Sequence, residues 1–130
     1  MMKPNASEPM EYHQLSGLDS IYLEDSYVLG VEENESEIRF RLELVLTERH
    51  PAYSPPKPGE QYAYRRGEIV FPAATEKSWI RKSMHPNPDP SGEPDFGNVD
   101  AFFGIGGTYH LSGEWGEIRI SSDSPVLHLS

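Results

Sequence analysis

The chain has 130 residues, a formal charge of −10 and no cysteine, which suits one domain with its own core and excludes disulfides, thiol nucleophiles and thiolate metal sites. The negative balance argues against a nucleic-acid partner, because phosphate binding needs a basic face. No stretch approaches the roughly 18 apolar residues that span a bilayer, and the start lacks an apolar signal segment, so the expectation is a cytoplasmic protein with no membrane contact.

The charge is unevenly placed: residues 1–38 carry a net −8, residues 39–82 a net +4 and residues 83–130 a net −6. The basic middle either faces an anionic ligand or pairs with the chain's own acids. Interspersed, self-compensating charge is the ordinary arrangement on a soluble surface.

In chain order, residues 1–14 are polar, contain Pro4 and Pro9, and read as a flexible N-terminal arm; residues 15–130 read as a single β domain. Ile21–Leu23 and Tyr27–Val31 are short strand candidates separated by Glu24, Asp25 and Ser26. An acidic turn at Glu32–Ser36 leads into the strongest pattern in the chain. There, Ile38, Phe40, Leu42, Leu44 and Leu46 alternate with Arg39, Arg41, Glu43 and Val45. A period of two puts successive side chains on opposite sheet faces, so this strand buries one face. Val45 is the one apolar residue on the wet face.

Thr47–Glu60 follows with Pro51, Pro55, Pro56 and Pro58, which remove backbone donors and exclude a helix or central strand. Gln61–Phe71 reads as a second hairpin turning at Arg66-Gly67. That register puts Tyr62, Tyr64, Ile69 and Phe71 on one face and a possible Arg65–Glu68 pair on the other. A strand is expected around Trp79 within Thr75–Lys82. The second proline-rich stretch, Ser83–Gly97, holds Pro86, Pro88, Pro90 and Pro94. Thereafter Val99–Phe103, Thr108–Leu111, Trp115–Ile120 and Val126–Leu129 are strand candidates joined by short Gly, Ser or Pro turns. The fold expectation is all-β: an antiparallel meander of about nine strands closing into a small barrel or a two-sheet sandwich, with two long Pro-rich loops.

Few residues point to chemistry. Asn87, Asp89, Ser91, Gly92 and Asp95 match positions 1, 3, 5, 6 and 9 of a calcium-binding loop. Asn98 replaces the bidentate glutamate of position 12, and no helix flanks the loop, so it reads as a solvated acidic turn with weak calcium character. His13, His50, His85, His110 and His128 show no metal-ligand spacing. Gly104, Gly106 and Gly107 precede a strand rather than a helix, which suits a hairpin turn and not a phosphate loop. There is no strand-turn-helix elbow to expose a nucleophile. Neither a catalytic group nor a cofactor is expected.

The candidate binding residues are Tyr53, Tyr62, Tyr64, Arg65, Trp79 and Arg81, in and beside the first proline loop and the strands that follow it. Aromatic rings with nearby guanidinium groups give large contact area for little lost entropy. The bland alternative makes Tyr62, Tyr64 and Trp79 core residues with basic groups solvating the edge. A site where Thr47–Glu60 and Ser83–Gly97 converge is the further expectation.

Leu23–Val31 (LEDSYVLGV) and the Gly92–Leu129 region, with GEPDFGNVDAFF, YHLSGEWGEIRI and SDSPVLHL, resemble a group of short bacterial all-β proteins without an established activity. The resemblance implies a bacterial origin and a compact β domain, and no function. Two readings follow from the residues: an acidic, non-enzymatic domain that binds another protein (immunity- or adaptor-type), or a small-molecule-binding β-barrel with a pocket lined by Tyr62, Tyr64 and Trp79.

Overall fold

A computed structural model describes residues 8–86 and 94–130. Among the described residues nine strands form two antiparallel sheets. The four-stranded sheet has the order β2 (Ile21–Glu33), β3 (Ile38–Leu46), β4 (Ala63–Phe71) and β9 (Val126–Leu129). The five-stranded sheet runs β1 (Met10–Glu11), β6 (Ala101–Ile105), β7 (Thr108–Gly113), β8 (Gly116–Ser121) and β5 (Glu76–Lys82). The sheets do not close on each other, so of the two expected architectures the sandwich is the one formed.

The alternating β3 pattern does what its period dictates. Ile38, Phe40, Leu42, Leu44 and Leu46 are buried on the inner face. They meet Trp115, Phe102, Leu111, Ile118 and Ile120 from the other sheet in one continuous core. Phe40 contacts Trp115 edge-on with ring centroids 5.3 Å apart, and the fully buried Trp115 donates its indole N–H to the Asn98 carbonyl at 3.0 Å. The β6–β7 hairpin turns at Gly106-Gly107, both with positive φ, as the primed two-residue turn requires.

Three expectations need correction. Gln61–Phe71 is not a hairpin: β4 is one continuous strand paired with β3 from Ile38↔Phe71 to Leu46↔Ala63. An Arg66-Gly67 turn would have forced Arg66 to positive φ, whereas β3 offers nine residues of ladder in register. Gly67 serves close approach instead, because a Cβ there would stand 2.7 Å from the His128 carbonyl oxygen of β9. The face assignment changes with it. Tyr64, Arg66 and Glu68 alternate with Ala63, Arg65, Gly67, Ile69 and Phe71, and the Arg65–Glu68 pair is replaced by Arg39–Glu68 at 3.1 Å.

Second, Ile21–Val31 is not two strands but one, with an irregular register between Tyr22 and Tyr27. Third, the expected arm is built into the fold over its last residues: β1 pairs with Phe103 and Gly104, and Tyr12 is buried against Phe102 at 6.0 Å. Residues 1–7 lie outside the described residues.

Candidate functional site

The β2 irregularity creates the most distinctive surface. From Tyr22↔Val45 to Tyr27↔Glu43, β2 takes five residue steps against two on β3. A bulge re-aims side chains because the extra residues break the strict alternation. Tyr22 and Tyr27, which have opposite parity in sequence, therefore both pair with outer-face residues of β3. Ser26 secures the bulge from inside: fully buried, its hydroxyl donates to the Tyr22 carbonyl at 2.7 Å and accepts from the Val45 amide at 2.9 Å. Asn98 donates to the Ser26 carbonyl at 2.6 Å, and the Val28 backbone exchanges hydrogen bonds with Phe96 and Gly97. These contacts cover the β2 edge, which would otherwise be open for pairing.

Tyr22, Val45 and Tyr64 form one cross-strand row on the outer face. Tyr27 and Tyr64 have ring centroids 6.3 Å apart, and Tyr62 meets Tyr64 edge-on at 6.1 Å. Tyr53 comes down from the first proline loop, so that Tyr22, Tyr53 and Tyr62 line one open cleft of about 380 Å³ with Asp25 and Val45. Val45 is only 3% exposed, although it lies on the solvent side of its sheet. Tyr22, Tyr53, Tyr62 and Tyr64 thus lie beside one buried valine and Tyr27 against Tyr64; Tyr53 also packs against the core, to which the remaining two of the seven tyrosines, Tyr12 and Tyr109, belong.

The phenols are hydrogen-bond donors here, not bases. The Tyr62 hydroxyl is bonded to Asp25, whose carboxylate raises the phenol pKa above its ordinary value. Burial raises that of Tyr64, with a further contribution from its hydrogen bond and proximity to Tyr27. Raised phenols stay protonated at neutral pH and present O–H groups and ring faces to whatever docks.

The candidate residues named from sequence divide. Tyr53, Tyr62 and Tyr64 come together. Arg65 has the opposite parity and donates to the Ser130 carbonyl at 3.0 and 3.3 Å. Trp79 is in the other sheet, where its indole N–H donates to Glu33 at 3.0 Å and Lys82 lies 4.9 Å from its ring centroid. Glu33 pairs with Ile38, and Ile38 with Phe71, seven positions along β4 from Tyr64. At strand rise this is on the order of 20 Å. The pocket expected from Tyr62, Tyr64 and Trp79 is therefore not formed. Arg81 fastens β5 to the β7–β8 turn through the Gly113 carbonyl at 2.8 Å and the Glu114 carbonyl at 3.3 Å.

Only the ends of the second proline loop, 83–86 and 94–97, are among the described residues. The first borders the tyrosine cleft, while the described ends of the second run beside Trp115, through the Ser83 and Met84 amides, and beside Val28, through Phe96 and Gly97. Of the calcium-loop candidates, Asn87, Asp89 and Ser91 lie outside the described residues; Asp95 caps the Gly97 amide at 2.9 Å. Among the described residues no group of three His, Asp or Glu side chains could hold a metal ion.

The missed members of the patch are Tyr22, Tyr27 and Asp25. The sequence held one signal for them. Val45 is an apolar residue on an otherwise polar face, which asks for a cover of large side chains.

The basic middle third is answered largely from within. Arg39 pairs with Glu37 and Glu68, Arg41 with Glu32, Arg49 with Asp19 and Lys82 with Glu33.

Comparison with known proteins finds no family model, no curated protein and no solved structure that matches this chain. No helix among the described residues is long and apolar enough to cross a membrane.

Proposed function

We propose that this acidic β-sandwich is a non-catalytic protein-recognition domain of the cytoplasm that binds its partner through the outer face of β2–β4. One observation carries the reading: Tyr22, Tyr27, Tyr62 and Tyr64 gather on the outer face of β2–β4 about the buried Val45, and Tyr53 of the first proline loop borders them. Tyrosine gives a rigid, amphipathic contact with two side-chain torsions to lose, which is why recognition surfaces are rich in it. A net charge of −10 would speed encounter with a basic partner and make association weaken as salt rises.

The test is capture with the wild-type chain and with a Tyr62→Ser/Tyr64→Ser variant, followed by reconstitution with the purified captured protein. The reading expects one defined partner that binds the wild type and is lost from the variant. A partner retained equally by both would place recognition elsewhere.

A further inference from the structure

Past Tyr22 the tyrosine surface continues into a larger open cleft of about 850 Å³ between the 12–17 turn and β2. Tyr22 and Thr47 line both clefts, so the Tyr22 ring is a shared wall. The β2 bulge supplies one carboxylate to each side: Glu24 to the larger cleft and Asp25 to the smaller.

Each of these acids is held by a phenol. Tyr12 donates to Glu24 Oε1 at 2.5 Å while accepting from the Leu23 amide at 3.1 Å, and Tyr62 is hydrogen-bonded to Asp25. A neutral phenol orients a carboxylate without cancelling its charge. Among the described residues neither Glu24 nor Asp25 forms an ion pair with Lys or Arg, whereas Asp19, Glu32, Glu33, Glu37 and Glu68 all do. Even Arg49, which lines the larger cleft, is turned to Asp19 at 3.4 Å. The groove thus joins oriented negative charge to aromatic walls, the combination that suits a cation with an apolar stem.

We propose that the two clefts form one groove for a segment of the partner carrying two basic side chains. One would lie on each side of Tyr22, their charged heads on Glu24 and Asp25. This rests on the tyrosine surface being the recognition face. It goes further in stating that recognition there reads cationic side chains, arginine foremost, because a guanidinium both pairs with carboxylate and stacks on a phenol ring.

The probe is a capped Arg-Gly-Arg tripeptide, titrated into the labelled full chain by NMR, with capped Ala-Gly-Ala as the counter-probe. Amide shifts should concentrate in residues 12–27, 47–53 and 61–64 for the arginine peptide alone. The Glu24→Gln/Asp25→Asn variant keeps both phenol acceptors and the ring walls, and its Kd should rise about tenfold from the loss of two exposed charge pairs. A charge-matched control beside the β2–β3 turn, at the far end of β3, Glu35→Gln/Glu76→Gln, should stay within about twofold. Should the double variant lose its native spectrum, Tyr22→Leu, at a side chain 43% exposed, tests the shared wall and should weaken binding about threefold.

Shifts scattered over the surface, equal weakening by the control, or no binding at millimolar peptide would overturn the proposal. If Glu24→Gln/Asp25→Asn retains a protein partner that Tyr62→Ser/Tyr64→Ser loses, the cation groove falls and the recognition face stands. If the tyrosine variant loses nothing, the recognition face itself falls.

Discussion

The two outer faces of the sandwich are built on the same core and differ in kind. On the five-stranded sheet, outward residues of β7 and β8 make local polar pairs: His110 Nε2 with Glu117 at 2.6 Å and the Thr108 and Ser121 hydroxyls at 3.1 Å, with the Phe103 ring 5.0 Å from that of His110. β7 and β8 each follow a strict alternation of buried and less buried residues. On the four-stranded sheet, the charged ladder Arg39–Glu68 and Arg41–Glu32 occupies one end, and the other carries a second apolar layer of tyrosines over Val45. The difference comes from one local device. Unbroken pairing of β7 with β8 distributes side chains evenly, whereas the three extra residues of the β2 bulge gather same-face aromatics that alternation would have separated.

Removing what both faces share should erase the contrast. Trp115→Ala deletes the largest fully buried side chain and its bond to Asn98, at a cost of about 3–5 kcal/mol, so denaturant unfolding should show both faces lost in one transition.

Ser26→Ala should separate the faces. It leaves the Val45 amide without its buried acceptor, costing about 1–3 kcal/mol. Chemical shifts should move around Tyr22, Tyr27 and Val45 while those of His110 and Glu117 stay put; uniform movement would mean that the bulge does not control the patch.

High pH probes the phenols. Burial, reinforced by Glu24, lifts the Tyr12 pKa in the folded state above its unfolded value of about 10. Its contribution to stability is therefore complete below pH of about 10 and is lost as pH rises toward the folded value. Tyr12→Phe should flatten this alkaline loss in thermal melts; an unchanged alkaline limb would mean that the Tyr12 phenol does not set it.

The smallest effects distinguish surface role from stability. Tyr64→Ser on one face and His110→Ala on the other should each cost about 1 kcal/mol or less, but only the first should abolish partner capture. Glu37 is smaller still. Its hydrogen bond to Arg39 lowers its pKa, so its share of stability is present above the ordinary carboxylate range and is lost as pH falls through the depressed value. Glu37→Gln should slightly blunt acid sensitivity.

Much of the fold was legible because it rests on local rules. The β3 alternation, the Gly106-Gly107 turn and the exclusion of regular structure by the first proline stretch each needed only a few neighbouring residues. The misreadings share a different origin. Gly67 looked like a turn residue, but whether a glycine serves a turn or a close approach depends on a partner, here β9, some sixty positions away. The expected Arg65–Glu68 pair failed with it, since a continuous strand puts Glu68 on the face of Tyr64 and opposite to Arg65. Trp79 and Arg81 were grouped with the tyrosines by sequence proximity. Strand pairing sent β5 to the other sheet, where both side chains fasten the framework.

The sequence by itself determined an antiparallel β protein, the inner face of β3 and the presence of one apolar residue too many on its outer face, because these follow from a period of two and from steric limits on each residue. Only the tertiary structure decided which tyrosines cover Val45 and which carboxylates stand beside them. That choice depends on a bulge held by Ser26 and Asn98, residues 72 positions apart, and no local propensity encodes such a contact.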